Sequence, residues 1–275
     1  MDLRPETAEA PAPEGPVPSG AGADSGLPPR VALPRVALHG IRKTFGSIEA
    51  LRGVDLEVYP GECVGLIGDN AAGKSTLTKI ISGTYLPDAG TIAIDGETVV
   101  FADPAGARAR NIEMVFQDLS LCDHVDVMGN LFLGREITHW SFLRKSQMRE
   151  RAREMLDDLD IRIPRLNAKV AQLSGGQRQA IAIARAASFG PRVLIMDEPT
   201  SALAVAEVEA VLRLIHRIKA RGVAVILITH RLQDLFRVCD RVAVMYEGTK
   251  VAERAIGETS LEDLVKLIVG KGEAL

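Results

Sequence analysis

A glycine-rich segment with the sequence GDNAAGKST follows the apolar run that ends at Ile67. It satisfies the pattern GxxxxGK[ST], in which main-chain N–H groups close around phosphates at the start of a helix. In this pattern Lys74 contacts the β- and γ-phosphates of a nucleotide, and the Ser75 hydroxyl binds Mg²⁺. The alternative is a chance glycine-rich turn, but the strand-loop-helix context favours a phosphate-binding loop. The predicted nucleotide-binding residues of this loop are Gly68, Asp69, Asn70, Ala71, Ala72, Gly73, Lys74, Ser75 and Thr76.

Two adjacent carboxylates follow a second apolar run, VLIM. Asp197 is suited to bind Mg²⁺, directly or through water. Glu198 can take the proton from an attacking water, a role worth about 10² to 10⁴ in rate. The alternative is a solvated acidic turn before Pro199. An apolar strand combined with a phosphate-binding loop favours the catalytic interpretation.

Two further polar side chains are candidate site residues because the phosphate-binding loop and the acidic pair are predicted to lie nearby. His230 directly follows the run VAVILIT, which predicts an imidazole at the same sheet edge, within reach of a γ-phosphate. A lone histidine at a strand end is more often structural or simply exposed. Gln117 ends a short apolar run as well, and a glutamine can orient water and bind a metal ion, although a surface amide is the commoner case.

The pentapeptide LSGGQ, residues 173–177, predicts a second anion site. Ser174 is suited to be the N-cap of the helix that follows, and Gly175 and Gly176 are expected to leave N–H groups bare at its positive end. The four residues expected to contact phosphate are Ser174, Gly175, Gly176 and Gln177. A well-capped surface helix explains the pentapeptide alone, but not its combination with the other motifs.

These residues need a scaffold of alternating strands and helices. Apolar and β-branched runs predict strands at 36–45, 54–58, 63–67, 91–94, 193–196 and 223–228, and helical periodicity predicts helices at 75–82, 174–188 and 205–220. Such alternation favours an α/β fold with a mostly parallel sheet and a β-rich N-terminal part. Ligands of these sheets lie at the carboxyl ends of the strands, where the motifs above are found.

Composition divides the chain into regions. Residues 1–33 are rich in Pro, Ala and Gly, and predict a disordered tail without the apolar centre of a signal peptide. Residues 34–275 are predicted to form one nucleotide-binding domain. Within it, Met148, Ala152, Met155 and Leu159 recur at helical spacing, so the stretch of about 120–172 is expected to be an inserted helical subdomain.

Charge and cysteine usage exclude several classes of protein. The formal net charge of -3 provides no electrostatic footprint for nucleic acid, so no nucleic-acid partner is expected. The three cysteines lack any CxxC pair, which supports neither a zinc site nor a disulfide framework. The longest apolar runs are strand-sized, far below the roughly 18 to 20 residues of a membrane-spanning helix.

The phosphate loop, Gln117, LSGGQ, the Asp197-Glu198 strand and His230 occur in an order that resembles the nucleotide-binding domain of ABC proteins. The resemblance implies a P-loop NTPase fold of ABC type that binds ATP and Mg²⁺ between two copies paired head to tail. It assigns Glu198 as general base, His230 as the γ-phosphate switch, and Gln117 to metal binding and to sensing a transmembrane partner. Phe45 matches the aromatic on which adenine stacks, although a core strand aromatic is the alternative.

A narrower resemblance is to the single-domain ATPases of ribose- and fructose-type sugar importers. It rests on GDN at the start of the phosphate loop and on QDLSLCDHVDVMGNLFLGRE from Gln117 to Glu136. It implies transmembrane permease subunits, an extracytoplasmic solute-binding protein, and a peripheral location on the cytoplasmic face of the membrane. An importer for an amino acid, autoinducer or nucleoside remains an alternative, as do a non-transport ABC ATPase and a different P-loop enzyme. LSGGQ argues against the last of these.

Two positions depart from the family pattern. Ala71 stands where most ABC proteins have glycine, and a left-handed backbone there would cost about 1 to 2 kcal/mol. Ala204 stands where many have the aspartate that communicates across the dimer. The first departure concerns how tightly nucleotide is held, and the second concerns how strongly the two sites are coupled.

Overall fold

The computed structural model describes residues 33–269. The predicted tail therefore lies outside the described residues except for Leu33, and so does the end of the predicted domain after residue 269. The strands, in chain order, are β1 Val36–Phe45, β2 Ile48–Val58, β3 Cys63–Gly68, β4 Ala89–Ile94, β5 Glu97–Val99, β6 Ile112–Val115, β7 Thr138–His139, β8 Phe142–Leu143, β9 Val193–Asp197, β10 Ala224–Ile228, β11 Arg241–Tyr246 and β12 Thr249–Ala255. The α-helices are α1 Lys74–Ile81, α2 Pro104–Ala109, α3 Val127–Leu131, α4 Lys145–Asp158, α5 Gly175–Ala187, α6 Val205–Ala220, α7 Leu232–Val238 and α8 Leu261–Ile268.

The N-terminal strands form a four-stranded antiparallel sheet in the order β2-β1-β4-β5. A tight turn at Asp95 and Gly96 joins β4 to β5, as the sequence predicts. The predicted short strand 54–58 is the second half of β2, which begins at Ile48 and pairs with β1 along most of its length. The β-rich N-terminal part is confirmed.

A second sheet has six strands in the order β12-β11-β3-β10-β9-β6. Five of its strands run parallel, and β12 at one edge is antiparallel to β11. The central strands β3, β10 and β9 are almost wholly apolar because both of their faces are buried. The predicted α/β fold with a mostly parallel sheet is therefore confirmed.

Alternate residues of these strands point into two hydrophobic clusters. In β3, Val64 and Leu66 pack with α1 and the antiparallel sheet, whereas Cys63 and Ile67 pack on the opposite side with α4, α5 and α6. This alternation follows from the two-residue period of a strand. The parallel sheet is thus the middle layer of the fold, with one hydrophobic cluster packed against each of its faces.

The inserted segment is less helical than predicted. The stretch of about 120–172 contains α3, α4 and a single 3₁₀ turn at Val170–Gln172, but β7 and β8 form a small antiparallel hairpin before α4. The periodicity of Met148, Ala152 and Met155 correctly places α4, whose buried face they form. The segment also contains a tight turn at Trp140 and Ser141, both at positive φ, which reverses the chain between β7 and β8.

Among residues 33–269, no helix combines the length and the apolar content that crossing a bilayer requires.

Candidate functional site

The carboxyl ends of four parallel strands open into one cavity of about 810 Å³. The loop after β3, the acidic pair at the end of β9, the turn after β6 and the end of β10 all contribute to its lining. The sequence motifs that lie far apart in the chain therefore meet at one sheet edge. The predicted residues that line the cavity are Gly68, Asn70, Ala71, Ala72, Gly73, Lys74, Ser75, Thr76, Gln117, Asp197, Glu198 and His230.

The phosphate-binding loop owes its shape to backbone conformations that favour glycine. Gly73, the residue before α1, has φ +99°, and a Cβ there would lie 2.8 Å from the carbonyl oxygen of Ala50. Ala71 has φ 67°, so the left-handed conformation considered from the sequence is present at an alanine. The loop carries a strain of about 1 to 2 kcal/mol at this position.

Lys74 is folded onto its own loop. Its ammonium donates to the carbonyl oxygens of Gly68 at 2.7 Å and of Asp69 at 2.8 Å. Burial lowers the pKa of Lys74, and the charges of Glu198, Asp69 and Asp197 oppose that shift. The cation is thus held inside the cavity, with its charge partly balanced by the two carboxylates of the β9 end.

The acidic pair occupies two different environments. Burial raises the pKa of Asp197, and the neighbouring Glu198 carboxylate raises it further, against the ammonium groups of Lys74 and Lys79. Glu198 has φ 52°, an uncommon conformation for a residue with a side chain. Its N–H donates to the carbonyl of Ile228 at 2.9 Å, which ties the pair to the end of β10.

The imidazole of His230 contacts the carboxylate of Glu198. Nδ1 lies 2.7 Å from Oε2, with the glutamate side chain 15% exposed and the histidine 70% exposed. The approach lacks the alignment of a hydrogen bond, and Oε2 has no hydrogen-bond partner among the described residues. A buried carboxylate oxygen without a donor is well suited to accept a proton from water.

Oxygen donors of three kinds share the cavity. Ser75, Gln117 and Asp197, which carry a hydroxyl, an amide and a carboxylate, all line it. Small hard cations such as Mg²⁺ prefer oxygen ligands, and at nucleotide sites the phosphates supply several of them. The donor set therefore fits the metal that the sequence predicts.

Apart from the LSGGQ residues, two predicted nucleotide-binding residues lie outside the cavity lining. Asp69 is not among the residues that line the cavity, and its main-chain carbonyl accepts a hydrogen bond from Lys74. Phe45 ends β1 with 41% of its surface exposed, and it packs edge-on against Tyr85 with ring centroids 5.2 Å apart. Ile48 and Ala50 of β2, which the sequence interpretation missed, do line the cavity.

LSGGQ opens α5 as predicted, with Ser174 as its N-cap. The Ser174 hydroxyl accepts from the N–H of Gln177 at 3.2 Å, and the Gln177 amide oxygen accepts from the N–H of Ser174 at 3.0 Å. The prediction of bare N–H groups is wrong for Gly176, because its N–H donates to Oε1 of Glu207 at 3.0 Å. A carboxylate from α6 already occupies the positive helix end that the sequence assigns to phosphate.

The LSGGQ residues do not face the phosphate-binding loop of their own chain. Ser174, Gly176 and Gln177 line a separate cavity of about 270 Å³ between α5, α6 and residues 159–163. The two motifs that the sequence predicts to bind phosphate therefore line separate cavities of the chain.

Two positioning residues escaped the sequence interpretation. The buried Asn130 bonds through its amide to the backbone of Cys122, Val125 and Asp126, which fixes the loop after Gln117. Arg185 of α5 donates to the carbonyls of Leu119 at 2.9 Å and Ser120 at 2.8 Å. These hydrogen bonds link the Gln117 loop to the helix that begins at LSGGQ.

Comparison with known sequences identifies close relatives. The model of the ABC transporter family matches residues 51–201. The xylose/arabinose import ATP-binding protein XylG of Sulfolobus acidocaldarius is 44% identical over 231 residues, which cover 84% of this chain and 92% of that protein. The ribose import ATP-binding protein RbsA 2 of Burkholderia cenocepacia is 43% identical over 235 residues, covering 85% of this chain and 46% of the relative. The chain therefore spans about half the length of its ribose-type relative.

Solved structures share the fold. An ATP-binding cassette of an ABC transporter has a TM-score of 0.76 at 28% identity, covering 87% of this chain and 99% of that one. A dimeric cassette in a post-hydrolysis state with ADP and Pi has a TM-score of 0.69 at 28% identity, covering 80% of this chain and 98% of that one. On its motifs, its sheet and these relatives, the chain belongs to the ABC transporter family, as one of its ATP-binding cassettes.

Proposed function

We propose that this chain binds and hydrolyses ATP as the nucleotide-binding subunit of an ABC importer that takes up a sugar. The observation that carries the proposal is the single cavity that brings Lys74, Glu198 and His230 together at the carboxyl edge of the parallel sheet. A cation for phosphate and a carboxylate for water are the two groups that hydrolysis of a phosphoanhydride requires.

Each group has a distinct role in the proposed reaction. The N–H groups of the phosphate-binding loop and the Lys74 ammonium bind the β- and γ-phosphates of ATP. Ser75, Asp197 and Gln117 hold Mg²⁺, which neutralises phosphate charge when bound. The Oε2 atom of Glu198 accepts a proton from the attacking water, and His230 orients that carboxylate and contacts the γ-phosphate.

Two copies of the chain complete two sites. Ser174, Gly175, Gly176 and Gln177 lie away from the cavity that contains Lys74, so ATP on one copy meets these residues only on a second copy. A dimeric cassette with a TM-score of 0.69 supports this pairing. We therefore propose a homodimer with its two nucleotides held between the subunits.

The transported solute and the remaining partners are inferred from relatives. XylG is named for xylose/arabinose import and RbsA 2 for ribose import, at 44% and 43% identity. A pentose is accordingly the proposed class of solute. The cassette would act at the cytoplasmic face of the membrane, bound to permease subunits that receive sugar from an extracytoplasmic solute-binding protein.

The test is ATP turnover in proteoliposomes that contain this chain and its permease. Adding the solute-binding protein loaded with a pentose should stimulate phosphate release, and the Lys74→Ala protein should release none above background. Stimulation by an amino-acid-loaded binding protein, with none by a sugar-loaded one, would overturn the assignment of the solute. An absence of turnover under every condition would overturn the proposed activity itself.

A further inference from the structure

Glu207 on the first turn of α6 makes a contact that the proposed reaction does not use. Its Oε1 atom accepts from the Ser174 hydroxyl at 3.0 Å and from the Gly176 N–H at 3.0 Å. Its Oε2 atom accepts from the N–H of Ala204 at 3.2 Å. One carboxylate thus satisfies donors at the starts of two helices, α5 and α6.

The donors at the start of α5 are nearly all in use. The N–H of Gln177 donates to the Ser174 hydroxyl oxygen, and the hydroxyl and the Gly176 N–H both serve Glu207. Within residues 33–269, the N–H of Gly175 is the one backbone donor of this first turn without a hydrogen-bond acceptor. A phosphate that approached this turn would therefore find its hydrogen-bond donors already bound to the Glu207 carboxylate.

The second glycine of LSGGQ leaves room for the carboxylate of Glu207. Gly176 lies in α5 with no positive φ, so its backbone does not require glycine. A Cβ at that position would lie 2.6 Å from the Cγ, Cδ and Oε1 atoms of Glu207. Close approach of the glutamate is thus what the absence of a side chain permits.

We propose that in the free subunit Glu207 occupies the place of the γ-phosphate at the signature loop, residues 173–177, and must withdraw before a second copy can close on ATP. This inference rests on the proposed function, because the phosphate comes from nucleotide bound to the partner copy. A carboxylate and a phosphate cannot share the same two donors, since both are anions and each donor has one hydrogen. Glu207 therefore positions the signature loop and also lowers the affinity of the ATP-bound dimer.

Hydrogen bonding explains why the carboxylate stays charged in this position. Bonds from the backbone of Ala204 and Gly176, and from the Ser174 hydroxyl, lower the pKa of Glu207. An ionised side chain at a helix N-terminus is also favoured by the helix dipole. The competition is thus between two anions at neutral pH.

The test compares ATP-dependent dimerisation in a background that does not consume ATP. Glu207→Gln is added to a Glu198→Gln chain, and the dimer dissociation constant is measured with Mg-ATP by sedimentation. Because the competing charge is removed while the side chain keeps its length, the constant should fall about tenfold. A loss of structural support alone would raise it instead, so the sign of the change separates the two roles.

Controls use a neighbouring glutamate and a truncation. Glu209→Gln, on the same helix but paired with Arg237, should leave the dimer constant unchanged. Glu207→Ala should tighten the dimer as well, at the cost of a lower melting temperature, because α6 loses its cap.

The outcomes separate the inference from the function on which it rests. An equal or weaker dimer in the Glu207→Gln chain, with its fold intact by circular dichroism, would overturn the inference alone. A dimer that forms in the double variant but not with Glu198→Gln alone would support it. If neither chain dimerises with ATP, the proposed two-copy site is wrong, and this role of Glu207 is wrong with it.

Discussion

The Nδ1 atom of His230 lies 2.7 Å from the Oε2 atom of Glu198, although the two residues are brought together from different strands. Glu198 follows β9 and His230 follows β10, and these neighbouring parallel strands end side by side. Both side chains line the same cavity at the edge of the parallel sheet. The histidine side chain is 70% exposed, whereas the glutamate side chain is 15% exposed.

Replacing Glu198 with glutamine should separate binding from hydrolysis. The Glu198→Gln chain keeps the shape of the side chain but loses the proton acceptor, so steady-state ATP turnover should fall about 10² to 10⁴-fold. Binding of ATP, measured by fluorescent-nucleotide titration, should stay within a few-fold of the original. Turnover that survived this substitution would show that another group is the base.

Replacing Ala71 with glycine should stabilise the chain. The φ of 67° costs an alanine about 1 to 2 kcal/mol, and part of that relief is offset by the extra freedom of glycine in the unfolded state. The net gain in the free energy of unfolding should be about 0.5 to 1 kcal/mol, measured by denaturant titration. Ala72→Gly is the matched control, because Ala72 is buried without a positive φ and should lose stability.

Asp197→Asn should stabilise the chain at neutral pH while weakening its activity. Because the pKa of Asp197 is raised above its ordinary value of 3.8, the folded state binds a proton more readily than the unfolded state. The free energy of unfolding of the wild-type chain therefore falls as the pH rises from the pKa of Asp197 in the unfolded state to its pKa in the folded state. Above the folded-state pKa, the full loss of stability is present. Melting curves from about pH 4 to about pH 8 should show an advantage for Asp197→Asn that grows with pH.

Asp88→Asn provides a control of opposite sign. A hydrogen bond from Lys43 lowers the pKa of Asp88, so its contribution to stability is present at neutral pH and is lost as the pH falls. The asparagine variant should accordingly melt earlier at neutral pH. Parallel pH profiles for the two variants would contradict the assignment of the Asp197 shift to its buried site.

Arg185→Ala should uncouple the Gln117 loop from α5. Loss of the hydrogen bonds to Leu119 and Ser120 should cost about 1 to 3 kcal/mol in the free energy of unfolding. In proteoliposomes, the ratio of solute-stimulated to basal ATP turnover should fall further than basal turnover does. Arg149→Ala, an exposed arginine of α4, should change neither quantity.

The sequence was sufficient to locate the nucleotide cavity. Short apolar runs followed by Lys74, Asp197 and His230 predicted strand ends, and parallel strands bring such ends to a single edge. The left-handed backbone at Ala71 could also be anticipated, because most members of the family that the sequence resembles have glycine there. These features depend on local pattern and on one rule of topology.

The contacts of Glu207 and Arg185 could not be predicted in the same way. Glu207 reaches Gly176 across 31 positions of sequence, and Arg185 reaches Leu119 across 66. The sequence pattern around Glu207 indicates only a glutamate that caps its own helix, as is common at the third helical position. Its second contact, with the start of α5, follows only from the packing of α5 against α6. The β7–β8 hairpin was missed because its strands are two residues each, too short for a periodic signal.

The separation of the phosphate-binding loop from the signature loop also predicts how two inactive alleles behave when they are expressed together. In the proposed head-to-tail pair, a chain altered at Lys74 joined to a chain altered at Ser174 puts both defects into one composite site. The other composite site then combines an intact loop from each chain. Two alleles that are each inactive alone would therefore complement one another when expressed in the same cell.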